Sequence, residues 1–153
     1  MQYRTYKETM LPQMVRLWKE EAVRIRYKAY DSPEEWKAEL LDKPDFDPEG
    51  CILAFTDSGS LAGFAAAISQ KEFLPGQNRD NTPGYIFLLV VKEEYEGRGV
   101  GSSLLEKAEA FLKGQGLSLI HIYVHKRYDE CMEQFRKTHI AKSEGPEENQ
   151  NAL

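Results

Sequence analysis

The alternation of apolar and polar positions divides the chain into a short series of elements. Residues 2–7 (QYRTYK) alternate and predict a strand. From 10 to 28 the apolar residues Leu11, Met14, Val15, Trp18, Ala22 and Ile25 recur every three or four positions, which predicts a helix with one buried face. Pro12 fits its first turn, where a missing N–H costs little. A second helix is predicted from Ser32. Ser32 and Glu35 form an S-x-x-E capping box, Pro33 takes the first helical position, and Trp36, Leu40 and Leu41 are the apolar residues. The run from Asp42 to Gly50 (DKPDFDPEG) breaks this pattern and reads as a loop.

Two strands, 51–56 and 61–69, flank the turn Asp57-Ser58-Gly59-Ser60 and predict a hairpin. The second is rich in Gly and Ala, so a helix can lie close to it. Residues 70–84 carry two Pro-Gly pairs and read as a mobile loop. The continuous apolar run 85–91 (YIFLLVV) predicts a central strand covered on both faces. Residues 102–113 predict a helix with Leu104, Leu105, Ala108, Phe111 and Leu112 inward, stopped by Gly114 and Gly116. Residues 117–124 (LSLIHIYV) predict a further buried strand, so that strand, helix and strand make a parallel crossover. A last helix is read at 128–138. After Ile140 the composition turns polar, which predicts one domain over 1–140 and a disordered tail over 141–153.

The bulk numbers narrow the field. A length of 153 residues suits one domain, and 41% hydrophobic residues supply one core. A net charge of −5 argues against a nucleic-acid partner. No apolar run reaches the roughly 20 residues of a membrane span, and MQYRTYKETM lacks a signal-peptide core. Cys51 and Cys131 lie far apart, which fits a reduced, cytoplasmic protein better than a disulfide framework.

The chemistry concentrates in Glu96-Gly97-Arg98-Gly99-Val100-Gly101-Ser102-Ser103. Glycines let backbone N–H groups approach a ligand, and the helix that follows adds unpaired N–H donors and a positive dipole end. Together they predict a phosphate site. A P-loop needs a Gly-Lys-Ser/Thr ending, and no lysine is present here. A Rossmann turn needs G-x-G-x-x-G directly after the first strand of a long series, whereas these glycines run G-x-G-x-G and Lys92–Glu96 intervene. A ligand-free tight turn does not need three alternating glycines, each of which costs conformational entropy.

The stretch from Val91 to Leu105 (VKEEYEGRGVGSSLL) resembles the acyl-CoA motif of the GNAT N-acyltransferase superfamily, [RQ]-x-x-G-x-[GA], with its positions on Glu96, Gly99 and Gly101. The order of elements from residue 2 to about residue 135 is similar as well. The resemblance implies an α/β (α+β) fold: a mixed central sheet with helices on both faces, here with its C-terminal strands shortened or missing. It implies acetyl-CoA as cosubstrate, no metal, and an amine acceptor on a small molecule or peptide. By the same resemblance, Leu89, Val90 and Val91 would pair with the pantetheine arm. Glu96, Gly97, Arg98, Gly99, Val100, Gly101, Ser102 and Ser103 would surround the pyrophosphate. The thioester would enter a slot between 85–91 and 117–124. Glu96 departs from the family's Arg or Gln, and Arg98 is the nearby cation that would compensate.

Acetyl transfer needs a deprotonated amine and a protonated leaving thiolate. Residues 85–91 contain no acid that would serve as the family's base. The family's acid, a tyrosine on the helix after the slot, aligns with Phe135, which leaves Tyr123 and Tyr128 as candidates. Strand geometry would hold His121 and His125 about 13 Å apart, too far to share a metal. Arg24, Arg26, Tyr27, Tyr30 and Asp31 fall in the loop that shapes the family's acceptor site; a solvated helix end is the competing reading. The chain resembles a single or first-half GNAT domain. Its lack of strand-like sequence after Ile140 leaves two readings, a truncated sheet or a homodimer covering the exposed edge. Three functions stay open: an N-acetyltransferase, a catalytically weak or inactive acyl-CoA-binding remnant, and an interaction module without a nucleotide.

Overall fold

A computed structural model describes residues 1–25 and 28–122. Its five strands lie in sequence order across one mixed sheet: β1 (Gln2–Thr5), β2 (Phe46–Phe55), β3 (Leu61–Ile68), β4 (Gly84–Val91) and β5 (Ile120–Ile122). The first four pair antiparallel, and β5 joins β4 in parallel. Three α-helices accompany them: α1 (Leu11–Glu21), α2 (Pro33–Leu40) and α3 (Val100–Gly114). The expected mixed sheet is therefore present, and its outer reach past Ile122 lies outside the described residues.

Neighbouring residues of β3 show how the layers are arranged. The Phe64 ring meets Trp36 of α2 edge-on at 6.2 Å. A Cβ on Gly63 would stand 3.4 Å from Leu104 of α3 and 2.6 Å from the Val90 carbonyl. Successive strand residues face opposite ways, so α2 covers one face of the sheet and α3 the other. Trp18 of α1 adds to the first layer, with its ring 5.8 Å from Trp36. Met14, Trp18, Ile25, Trp36 and Phe64 are all buried there. Leu104, Leu105, Ala108 and Leu112 fill the second layer.

The capping residue of α2 behaves as its sequence requires: Ser32 Oγ accepts the Glu35 N–H at 3.1 Å. Several boundaries differ from expectation; β5, for one, begins at Ile120 and not at 117. α1 stops at Glu21, although Ile25 remains fully buried in the turn that follows. Trp18 Nε1 donates to the Lys28 carbonyl at 2.8 Å and draws the chain back over α1. β2 begins at Phe46, inside the stretch expected to be a loop, because Phe46 pairs with Ile68 and packs edge-on against Tyr6. A register irregularity between Phe46 and Cys51 accommodates Pro48 and its missing N–H. α3 includes Gly114, and Gly116 at φ +83° closes it. The loop between β3 and β4 is held by local hydrogen bonds, among them Asn81 Nδ2 to the Gly76 carbonyl and Gln70 Nε2 to Gln77 Oε1. No helix among the described residues is long and apolar enough to cross a membrane.

Candidate functional site

The site is built where β4 hands over to α3. Leu89, Val90 and Val91 are buried at the C-terminal end of β4. On one side they pair with Ala65, Phe64 and Gly63 of β3. On the other, among the described residues, the ladder to β5 joins Gly84, Tyr85 and Ile86 to Ile120, His121 and Ile122, while β4 runs on to Val91. A short 3-10 turn, Glu93–Tyr95, then carries the chain off the sheet.

The glycines that follow hold two different roles. Gly97 and Gly99 have φ of +77° and +81°, a region that side chains disfavour, and a Cβ on either would meet nothing within 4 Å. Their faces are open, as an approaching ligand requires. Gly99 is the N-cap of α3 and has no side chain to cap the helix. The first intrahelical bond runs from the Ser103 N–H to the Gly99 carbonyl at 3.0 Å, so the N–H groups of Val100, Gly101 and Ser102 lie ahead of it. Gly101 is different: its φ is not positive, and a Cβ there would make an ordinary 3.7 Å contact with Val91 Cγ2. Gly97, Arg98, Gly99 and Ser102 are exposed, Gly101 and Ser103 half-buried, and Val100 buried as the anchor. Arg98 lays its guanidinium over the Tyr95 ring at 5.6 Å.

Glu96 is half-buried and has a cationic partner. Arg24 Nη1 donates to Glu96 Oε1. The same guanidinium donates through Nη2 to Glu21 Oε1 at 2.8 Å and to the Val91 carbonyl at 2.9 Å. Glu93 Oε2 lies 3.6 Å from Arg24 Nε. Glu21 is 7% exposed and also accepts the Glu93 N–H. Burial disfavours the Arg24 charge, but the hydrogen bonds to Glu21 and Glu96 outweigh it and hold the guanidinium pKa above its ordinary value. Sequence reasoning overlooked Glu21 and assigned Arg24 to the acceptor loop. The signal for Glu21 was its position: it continues the buried 14–18–21–25 stripe of α1, where a carboxylate needs a partner.

Of the other acceptor-loop residues, Tyr30 packs its ring 6.2 Å from Trp18, and burial followed by its hydrogen bond to Glu39 pushes its phenol up to about 12. Asp31 is exposed, and Arg26 and Tyr27 lie outside the described residues. So do both catalytic candidates, Tyr123 and Tyr128, with His125, Cys131 and Phe135. His121 sits on β5 with its ring 5.3 Å from Tyr85. Among the described residues no group of three or more His, Cys, Asp or Glu is arranged to hold a metal. Two clefts lie away from the glycine turn. One of about 310 Å³ runs between Asp47, Lys71, Arg79 and Gln115, and one of about 230 Å³ runs between Arg16, Glu20, Ser60 and Lys92.

Comparison with known proteins bears on this geometry. The profile described as "Acetyltransferase (GNAT) family" matches residues 11–137. A mycothiol acetyltransferase from Propionibacterium freudenreichii is 27% identical over 93 residues, covering 60% of this chain and 28% of that protein. One from Thermobispora bispora is 32% identical over 100 residues, covering 61% and 32%. The chain thus matches less than a third of the length of these relatives. Among solved structures, an aminoglycoside acetyltransferase from an uncultured soil metagenomic sample, in complex with trehalose, superposes with a TM-score of 0.67 at 18% identity, covering 94% and 90% of the two chains. The AAC(6')-Iy complex with the bisubstrate analog CoA-S-monomethyl-acetylneamine gives 0.66 at 16% identity, covering 94% and 92%. At these identities the structures show the fold.

Proposed function

Because this chain belongs to the GNAT acetyltransferase family, we propose that it transfers an acetyl group from acetyl-CoA to a primary amine of a small molecule or peptide. The observation that carries the reading is the open glycine turn at the start of α3, set directly beyond the end of β4. An anion is favoured there by helix-start N–H groups and the helix dipole, with no side chain at 97 or 99 to obstruct it. Glu96 is ion-paired to Arg24, a cation it shares with Glu21, so part of its repulsion toward the pyrophosphate is offset. In this reading, backbone groups from Glu96 to Ser102 hold the pyrophosphate, with Ser103 at the edge. The end of β4, Leu89–Val91, aligns the pantetheine arm. AAC(6')-Iy has been solved in complex with CoA, which fits a cosubstrate of this kind on this fold.

The reaction itself is addition of the amine lone pair to the thioester carbonyl, loss of the thiolate, and transfer of the amine proton. Apart from any base beyond Ile122, β4 supplies none: Tyr85 is its only titratable side chain. The amine therefore gives its proton to water or to a group on another segment. Tyr123 and Tyr128 are proposed to protonate the leaving thiolate. Tyrosine-to-phenylalanine variants at these positions should lower kcat with little change in the KM for acetyl-CoA.

Incubation with acetyl-CoA and a panel of amines should release free CoA. The absence of an acid on β4 favours a second reading, a CoA-binding domain with weak or no turnover. That reading predicts a CoA-dependent rise in Tm with no CoA release across the panel. No shift and no release would sink both.

A further inference from the structure

Arg24 joins two parts of the molecule that are far apart in sequence. It stands just past the end of α1, and its guanidinium touches Glu21 of α1, the Val91 carbonyl that ends β4, and the Glu96 carboxylate that begins the glycine turn. Glu21 in turn takes the Glu93 N–H, so the segment 91–96 is held to α1 at its start, middle and end. The positive-φ glycines follow at once, and glycine gives that stretch little rigidity of its own. The fork of a guanidinium suits this task, because a lysine cannot serve three acceptors in fixed directions.

We propose that Glu96 is a positioning residue: hooked by Arg24, it sets the glycine turn for the pyrophosphate of CoA. This rests on the reading of the turn as the pyrophosphate site. The polarity of the effect is unusual. A carboxylate beside a pyrophosphate is repulsive by charge alone. Its removal ought to tighten CoA binding if charge were its whole contribution. If it acts through Arg24, its removal loosens the turn and weakens CoA binding.

Glu96→Ala decides between these, because it leaves the buried Glu21–Arg24 pair in place and so spares the fold. The measurement is a thermal-shift titration with CoA and, in parallel, with pantetheine, which has the arm but no phosphate. For wild type, CoA binds more tightly than pantetheine. In Glu96→Ala we expect CoA affinity to fall about tenfold and pantetheine affinity to change less than twofold. Arg24→Lys keeps a cation against Glu21 and loses the fork; it should weaken CoA to a similar degree. The double variant should be no worse than Arg24→Lys alone, since Glu96 acts only through Arg24. Tighter or unchanged CoA binding in Glu96→Ala overturns the proposal, as does a double variant whose losses add. Equal binding of CoA and pantetheine by wild type overturns the underlying site reading instead, and is recognisable without any variant.

Discussion

At the scale of single residues, the glycines of the turn separate into those required by the backbone and one that is not. Gly99 at φ +81° is required: Gly99→Ala places a side chain in the left-handed region, at a cost of about 1–2 kcal/mol. Gly101→Ala, with room for its methyl beside Val91, should melt at or slightly above the wild-type temperature. The same methyl sits at the second residue of α3, where on the proposed reading the ligand's oxygens meet the backbone, so the CoA-induced rise in Tm should shrink. Melting curves with and without CoA check both parts; a full CoA shift in Gly101→Ala would remove that residue from the site. Cys51 offers a simpler test. It is fully buried, and burial pushes its thiol up to about 12. Alkylation of the native protein near pH 8 should leave the peptide containing Cys51 unmodified, and denaturant should expose it.

At the scale of elements, the best-read pieces were those whose periodicity and caps agree. α3, β3 and β4 stand within a few residues of their expected bounds, because each buries a continuous apolar face. Ser32 caps α2 through its own hydroxyl, and Ser32→Ala should cost about 1 kcal/mol by chemical denaturation. Gly63 was legible only as a small residue. The structure gives it a reason, the 2.6 Å approach to the Val90 carbonyl, and Gly63→Ala should destabilise by about 1–3 kcal/mol with β4 pushed from its register. What periodicity missed depended on distant partners. The chain just past α1 is held by a guanidinium whose partner Glu96 lies 72 residues away. The start of β2 is set by Ile68 and Tyr6, against a local composition of Pro, Asp and Gly. The glycine turn was legible because its chemistry is local, whereas its Arg24 hook was not.

At the scale of the whole molecule, the titrating groups place a limit on the alkaline side. Burial, then the nearby Glu8, pushes Tyr6 up to about 12, and burial first pushes Tyr30 and Cys51 to about 12 as well. Their ordinary values are 10.0 for the tyrosines and 9.0 for the thiol. The unfolded chain therefore ionises first as pH rises. The stabilisation is complete below about pH 9 and is lost between there and about 12, so Tm should fall steeply over that window. A flat alkaline profile would contradict the burial of these three groups.

The order of strands across the sheet also has a kinetic meaning. β2, β3 and β4 are consecutive in the chain and adjacent in space, so we expect their pairing to form early in folding. α3 and β5 dock onto that meander, and the turn between β4 and α3 takes its shape only with them. A ligand held by the turn then recognises the finished molecule and not its folding transition state. Stopped-flow measurements should show CoA slowing unfolding while refolding keeps its rate. Acceleration of refolding by CoA would place the turn in the nucleus and reverse this order of assembly.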